Sequence, residues 1–186
     1  MVSLHPPVCE FGKKAVDFDL PGVDQQRWTL EKCTGKRGLL VMFISNHCPY
    51  VKAIRKKLVR DTKELMGLGV NSVAIMPNDF EAYPDDSPEN MRLISEEFDF
   101  PFPYLLDASQ EVAKAYGAVC TPDFFGYNAD LELQYRGRLD AAGPKSDDDT
   151  QVRELFEAMK QVAETGKGPE HQVPSIGCSI KWHGSD

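Results

Sequence analysis

The segment Ser45-Asn46-His47-Cys48-Pro49-Tyr50-Val51 sets a cysteine between an apolar run, residues 39–44, and a basic stretch of helical spacing that begins near Pro49. A cysteine at such a junction lies at a helix N-terminus, where unpaired backbone N–H groups and the helix dipole favour the thiolate over the thiol. Cys48 is therefore the candidate nucleophile. Pro49 suits the first helical turn, since its missing N–H would have had no partner there. The competing reading is a cysteine used as a small core residue, which is common among thiols. A strand-to-helix junction is less buried than mid-strand, which favours the reactive reading. His47 either supports the thiolate when protonated or is an exposed flank of the motif.

The other cysteines, Cys9, Cys33, Cys120 and Cys178, make an odd and scattered set of five, unlike the dense framework of a small secreted domain. They are expected as thiols or transient redox partners in a reducing compartment. His5, His47, His171 and His183 add possible ligands, but no Cys-x-x-Cys and no close histidine pair gives a zinc signature. No metal is expected. The acids Asp147, Asp148 and Asp149 lack the glycine and the final glutamate of a calcium loop, and a helix cap explains them. No glycine-rich phosphate loop occurs, so no nucleotide cofactor is implied.

The elements that must position Cys48 follow an alternating α/β order. Residues 15–20, closed by Pro21-Gly22, read as a short strand and turn. Residues 39–44 are apolar throughout, as a central strand buried on both faces requires. Val51, Ile54, Leu58 and Leu65 then recur at helical spacing among Lys52, Arg55, Lys56, Lys57, Arg60 and Lys63, predicting a core-facing helix with a basic outer surface that ends at Gly67 and Gly69. Residues 70–76 return as a strand. Ser87-Pro88 offers an N-cap and first turn for a helix carrying Met91, Ile94 and Phe98. Asp107-Ala108-Ser109-Gln110 reads as a capping box for a helix through Tyr116, ended by Gly117. Residues 123–127 and 131–138 form a hairpin around Asn128-Ala129-Asp130, and Ser146-Asp147-Asp148-Asp149 caps a last helix that runs to Gly166.

Strand, helix, strand, helix, helix, hairpin, helix, with a cysteine after the first buried strand, resembles a thioredoxin fold. The leader Gly12-Lys13-Lys14-Ala15-Val16-Asp17-Phe18-Asp19-Leu20-Pro21 is similar to that of the alkyl hydroperoxide reductases and thiol-specific antioxidants. Three further motifs, Asn46-His47-Cys48-Pro49-Tyr50-Val51, Cys120-Thr121-Pro122-Asp123-Phe124-Phe125 and Gly177-Cys178-Ser179-Ile180-Lys181-Trp182, resemble a peroxiredoxin-like group of that superfamily. The resemblance spans nearly the whole chain. It implies one domain over residues 1–186, with a central mixed β-sheet flanked by helices, an N-terminal arm (1–11) and an ordered C-terminal tail (167–186). It also implies a cis bond at Thr121-Pro122, where such folds pair a substrate strand beside the cysteine. The substrate groove would then comprise His47, Pro49, Thr121 and Pro122.

Against thioredoxin's Cys-x-x-Cys, Cys48 takes the attacking position and Val51 replaces the second cysteine, so no local thiol is left to release a mixed disulfide. Against the peroxiredoxin pattern Pro-x-x-x-Thr/Ser-x-x-Cys, Ser45 and Cys48 match, but Val41 stands where proline is required. The thioredoxin-like alignment is the better fit. Two remote cysteines remain as possible resolving thiols. Cys120 lies near the site but alternates away from Thr121, whereas Cys178 needs the tail to fold back; Cys120 ranks slightly ahead. The expected function is a thiol-dependent oxidoreductase in which Cys48 attacks a disulfide or a peroxide. The alternatives are a peroxidase proper with a remote resolving cysteine, and a redox-sensing or binding module. Its partners would be protein or small-molecule thiols, disulfides or peroxides. A net charge of −8 argues against nucleic acid and anionic membranes. No apolar run approaches the about 18 residues of a membrane span, and the first ten residues do not resemble a signal peptide, so a cytoplasmic location is expected.

Overall fold

The computed structural model describes residues 3–142, 148 and 150–184. In chain order the strands are β1 Ser3–Leu4, β2 Asp19–Pro21, β3 Arg27–Thr29, β4 Gly38–Phe43, β5 Val70–Met76, β6 Tyr104–Leu106, β7 Cys120–Thr121, β8 Asp123–Asn128, β9 Leu133–Tyr135 and β10 Gly177–Ser179. The helices are α1 Leu30–Cys33, α2 Pro49–Gly67, α3 Pro88–Glu97, α4 Glu111–Tyr116 and α5 Glu154–Thr165. The central sheet has the order β6-β5-β4-β8-β9. β4, β5 and β6 run parallel, while β8 and β9 are antiparallel to their neighbours, so the sheet is mixed.

β4 is buried along its whole length, and its alternation assigns each side chain to one of two cores. Leu40 and Met42 join the apolar face of α2 and the α5 residues Leu155, Met159 and Val162. Leu39, Val41 and Phe43 join α1 and α4 through Leu30, Cys33, Ala113 and Tyr116. Helices therefore cover both faces, and the C-terminal end of β4 delivers the chain to the start of α2 in the α/β layer arrangement. At that end a second, three-stranded sheet forms in the order β1-β10-β7. β10 is its middle strand, so the C-terminal tail lies between the N-terminal arm and the Thr121-Pro122 loop. Arg136 fixes that loop from below: its guanidinium donates to Asp123 Oδ2 at 3.0 Å, and the same oxygen accepts from the Val119 amide at 3.2 Å.

The structure differs from the sequence reading at several ends. The strand expected over residues 15–20 begins only at Asp19, as β2, because the leader before it hydrogen-bonds to the backbone of residues 131–133 instead, as in Gly12 N–H to Leu133 O at 2.9 Å. α4 starts at Glu111 without a capping box: Gln110 is left-handed at φ 65°, and the buried Asp107 carboxylate accepts from the Ala113 amide at 2.8 Å. The second arm of the hairpin is Leu133–Tyr135 alone, since Leu131 turns at φ 58° and the Arg136 amide is bonded to the Gln172 side chain. The last helix begins at Glu154 rather than after the acid run. Ser146, Asp147 and Asp149 lie outside the described residues, and Asp148 closes a local turn by accepting from the Thr150 amide at 2.9 Å. The basic surface expected on α2 is also incomplete. Arg55 and Lys57 are buried, Lys57 by an ion pair with Asp140 at 2.9 Å.

Candidate active site

Cys48 is the N-cap residue of α2, with Pro49 at the first helical position, as the sequence indicates. Its side chain makes no capping bond and points away from the helix. The sulfur lies 3.0 Å from Thr121 O and 2.9 Å from the sulfur of Cys178. This is contact between two thiols, beyond the ~2.05 Å of a disulfide bond. The Thr121-Pro122 bond is cis, and Thr121 Oγ1 contacts Ser45 Oγ at 3.3 Å. Cys48 and Cys178 are 0% and 1% exposed, so the pair is sealed from solvent.

Cys178 arrives on β10, where it pairs across from Thr121, with Ser179 across from Cys120. The sulfur against Cys48 is therefore that of Cys178, which reverses the expected order of the two remote cysteines. The reason is strand alternation: Thr121 faces Ser45, and Cys120 on the opposite face has its sulfur 3.5 Å from Pro122 O. Burial pushes the Cys178 thiol up to about 12, with the bond to Cys48 and the charge on a Cys48 thiolate acting in the same direction. Lys181 and the Tyr50 amide act the other way. Burial also raises Cys9 to about 11 and Cys33 to about 12, and it raises Cys120 as well.

The loop carrying Cys48 is pinned by a residue the sequence reading did not single out. Asp86, fully buried in the short turn Pro84–Asp86, accepts from the amides of Asn46 at 2.7 Å and His47 at 3.2 Å. It also accepts from Asn78 Nδ2 at 2.8 Å and pairs with His47 Nδ1 at 2.6 Å. An ionised carboxylate only accepts, so Nδ1 carries the proton and His47 is held by its inner nitrogen. The imidazole stacks on Tyr83 at 5.8 Å and is largely buried rather than an exposed flank. Burial pushes the Asp86 carboxyl up, but its bonds from His47, Asn78 and Asn46 and the charge of His47 outweigh this, leaving it below the usual carboxylate range. A carboxyl depressed in the folded state stabilises the protein above its unfolded value of about 3.9 and loses that contribution as pH falls through the lower folded value. Asp86→Asn is therefore expected to flatten stability against pH below about 4, and urea midpoints measured from pH 2 to 7 for both proteins check it.

Two further groups complete the floor. Arg55 lies two turns along α2 from Cys48, is buried, and donates to Asn46 O, with its guanidinium 5.2 Å from the Phe98 ring centroid. Burial lowers its pKa, and the nearby Tyr104, Glu97, Cys48 and Asp86 counter that in their charged forms. Tyr104 Oη donates to Asn46 Oδ1 at 2.8 Å. Asn46 Nδ2 also donates to Asp85 O at 3.0 Å, so its amide, side chain and carbonyl engage four different residues, which fixes the approach to Cys48. Among the described residues no cluster of three or more His, Cys, Asp or Glu forms a metal site, and no helix is long and apolar enough to cross a membrane.

A mixed five-stranded sheet with helices on both faces, a cysteine capping the helix after the central strand and a cis-proline facing it define a protein of the thioredoxin fold. Residues 11–141 match the AhpC/TSA family, and the chain belongs to that family. It is similar over 100% of its length to an uncharacterized conserved protein from Geobacillus kaustophilus, at 45% identity and a TM-score of 0.93, covering 99% of that chain. A hypothetical protein, SMc02350 from Sinorhizobium meliloti 1021, is 40% identical with a TM-score of 0.92, over 97% of this chain and 99% of its own. Peroxidoxin BcpB from Mycobacterium tuberculosis shares the fold at 18% identity and a TM-score of 0.56, over 66% of this chain and 81% of its own. No curated protein matches the chain.

Proposed function

We propose that this chain is a thiol-dependent oxidoreductase in which Cys48 is the nucleophile and Cys178 the resolving thiol. The observation that carries the reading is the 2.9 Å contact of the two sulfurs at the N-terminus of α2. Cys48 lies at the N-terminus of α2 with Arg55 two turns along the same helix, whereas burial holds the Cys178 thiol protonated. The pair thus divides the labour: one sulfur attacks, and the other waits as a neutral thiol.

With a disulfide substrate, the Cys48 thiolate attacks one sulfur and expels the other as a thiolate. Cys178 then gives up its proton and attacks Cys48, forming the Cys48–Cys178 disulfide and releasing the second half of the substrate. With a peroxide, the same thiolate takes the terminal oxygen, leaving Cys48 as sulfenic acid and releasing water or an alcohol after protonation. Cys178 condenses with the sulfenic acid and water departs. Either route oxidises two thiols and needs an external thiol reductant to restore them. Val51, in the position of a local second cysteine, is bypassed because the resolving sulfur comes from the tail. Family membership favours peroxide among the candidate oxidants. Thiols kept reduced suit the cytoplasm, where this reading places the protein.

The experiment is turnover with dithiothreitol as reductant and either hydrogen peroxide or a low-molecular-weight disulfide as oxidant. Cys48→Ser is expected to abolish turnover, Cys178→Ser to lower it at least about tenfold, and Cys120→Ser to leave it near wild type. Full activity in Cys48→Ser would refute the assignment.

A further inference from the structure

β6 covers only the second half of β5: the ladder pairs Ala74 with Tyr104, Ile75 with Leu105 and Met76 with Leu106, and goes no further. Its end has a chemical cause. In a parallel ladder one residue gives both its N–H and its C=O to the strand on one side, and the next residue gives both to the other side. Ile75 O accepts from Ile44 N on the β4 side, and Ala74 N donates to Pro103 O on the β6 side, so Ser72 also turns its amide and carbonyl to the β6 side. Continued register would need residue 103 to donate to Ser72 O, and proline has no N–H. Among the described residues none bonds to the Ser72 amide or carbonyl on that edge.

A cavity of about 170 Å³ lies there, lined by Ser72, Pro101 and Pro103. It continues the plane of the sheet, with Trp28 and Cys33 on the α1 side and Thr62 and Met66 on the α2 side. Met66 is half exposed, so the cavity opens to solvent beside it. Its other polar groups are largely spent. The Trp28 indole N–H donates to Asp24 Oδ2 at 3.1 Å, and Thr62 Oγ1 donates to Leu58 O at 2.7 Å. Lys32 is the one charged side chain among the described lining residues, and its ammonium donates to Arg27 O at 3.1 Å. Burial pushes the Cys33 thiol up to about 12, so it carries no charge at neutral pH. Asn71 adds a half-buried carboxamide. Ser72 Oγ is buried with no hydrogen-bond partner among the described residues. Buried polar groups in folded proteins are paired as a rule, and here the amide, carbonyl and hydroxyl of one residue depart from it together.

We propose that this cavity is a binding site for a small, neutral, planar ring that carries a cis amide, either a lactam or a heterocycle with the same adjacent donor and acceptor. The ring N–H donates to Ser72 O and the ring carbonyl accepts from Ser72 N–H, the two bonds that a further turn of the ladder would have made. Planarity follows from the place, a slot one strand wide between the two faces of the sheet. Volume sets the size: about 170 Å³ is close to the about 150 Å³ of an engineered cavity that holds benzene, so the site takes a single ring. A charged ligand is disfavoured because a buried charge needs a partner and Lys32 is already engaged. Ser72 lies opposite Leu40 near the start of β4, whereas Cys48 follows the far end of that strand, so the site is independent of the Cys48 reading.

The test titrates isotopically labelled wild-type protein with 2-pyridone and, separately, with N-methyl-2-pyridone, following the backbone amide resonances. 2-Pyridone is expected to shift the Ser72 amide saturably at millimolar concentration, with Asn71 and Val73 following. The N-methyl analogue keeps the ring and the acceptor but cannot donate, which leaves Ser72 O unpaired, and its affinity should be at least about tenfold lower. Ser72→Leu, which fills the cavity, should abolish the response of Asn71 and Val73. Both ligands are read on the wild type, so the comparison decides the matter even where Ser72→Leu fails to fold. No saturable shift at Ser72, equal affinity for the two ligands, or largest shifts away from residues 71–73 would overturn the proposal and leave water as the occupant of the cavity.

Discussion

Cys178→Ser should convert a reversible oxidation into an irreversible one. In the wild-type protein a sulfenic acid on Cys48 forms against a thiol already in contact, so condensation outpaces a second encounter with peroxide. Wild type treated with a small excess of hydrogen peroxide should lose two thiols and regain both with dithiothreitol. The serine variant has no sulfur there, and Cys120, turned toward Pro122 O, is not aimed to replace it. Its Cys48 should progress to sulfinic and sulfonic acid, read as gains of two and three oxygens on the Cys48 peptide that dithiothreitol does not reverse. The expected contrast is at least about tenfold in the fraction lost irreversibly, since sulfinic acid is beyond ordinary thiol reduction. Equal over-oxidation in both proteins would show that Cys178 does not resolve Cys48.

Arg55→Met should slow the reaction of Cys48 with iodoacetamide at pH 7 by about tenfold, because a buried cation close to the sulfur is lost. Arg55 is buried beneath the site and spends its hydrogen bond on a carbonyl, so much of its charge remains to act on a thiolate nearby. Removing the Asn46 contact alone would loosen the loop, and the conservative variant separates the two effects. Arg55→Lys keeps the charge and loses the planar guanidinium, so recovery of most of the rate marks an electrostatic role. A rate equally low in both variants would make Arg55 a structural support only.

The fold was legible where local pattern and tertiary demand agree. The apolar runs that became β4 and β5 admit only a doubly covered strand, and Pro49 and Ser87-Pro88 mark helix starts by the hydrogen bonds they give up or supply. Cys48 was legible for the same reason, lying beside such a boundary, whereas the Thr121-Pro122 loop was legible only through the family resemblance of its motif. The rest of the site depends on contacts that sequence spacing does not carry. Cys178 lies 130 residues from Cys48, and only the pairing of β10 with β7 decides that it, and not Cys120, meets that sulfur. Asp86 belongs to no motif in the sequence, yet it collects four hydrogen bonds in the interior. Arg55 and Lys57 read as surface charges because charge run and helical period do not reveal a carbonyl or a carboxylate waiting in the core. The late start of α5 has a similar cause, since Lys57 Nζ donates to Asp148 O at 2.7 Å and holds that backbone in a turn.

The most direct measurement is a disulfide map of the wild-type protein after reaction with one equivalent of a low-molecular-weight disulfide, alkylation of the remaining thiols, proteolysis without reductant and mass analysis. The expected product is a single bridge joining the Cys48 peptide to the Cys178 peptide, with Cys9, Cys33 and Cys120 recovered as alkylated thiols. Recovery of Cys178 as an alkylated thiol, with Cys48 unreacted, bridged to Cys120 or left as a stable mixed disulfide, would contradict the assignment of the pair.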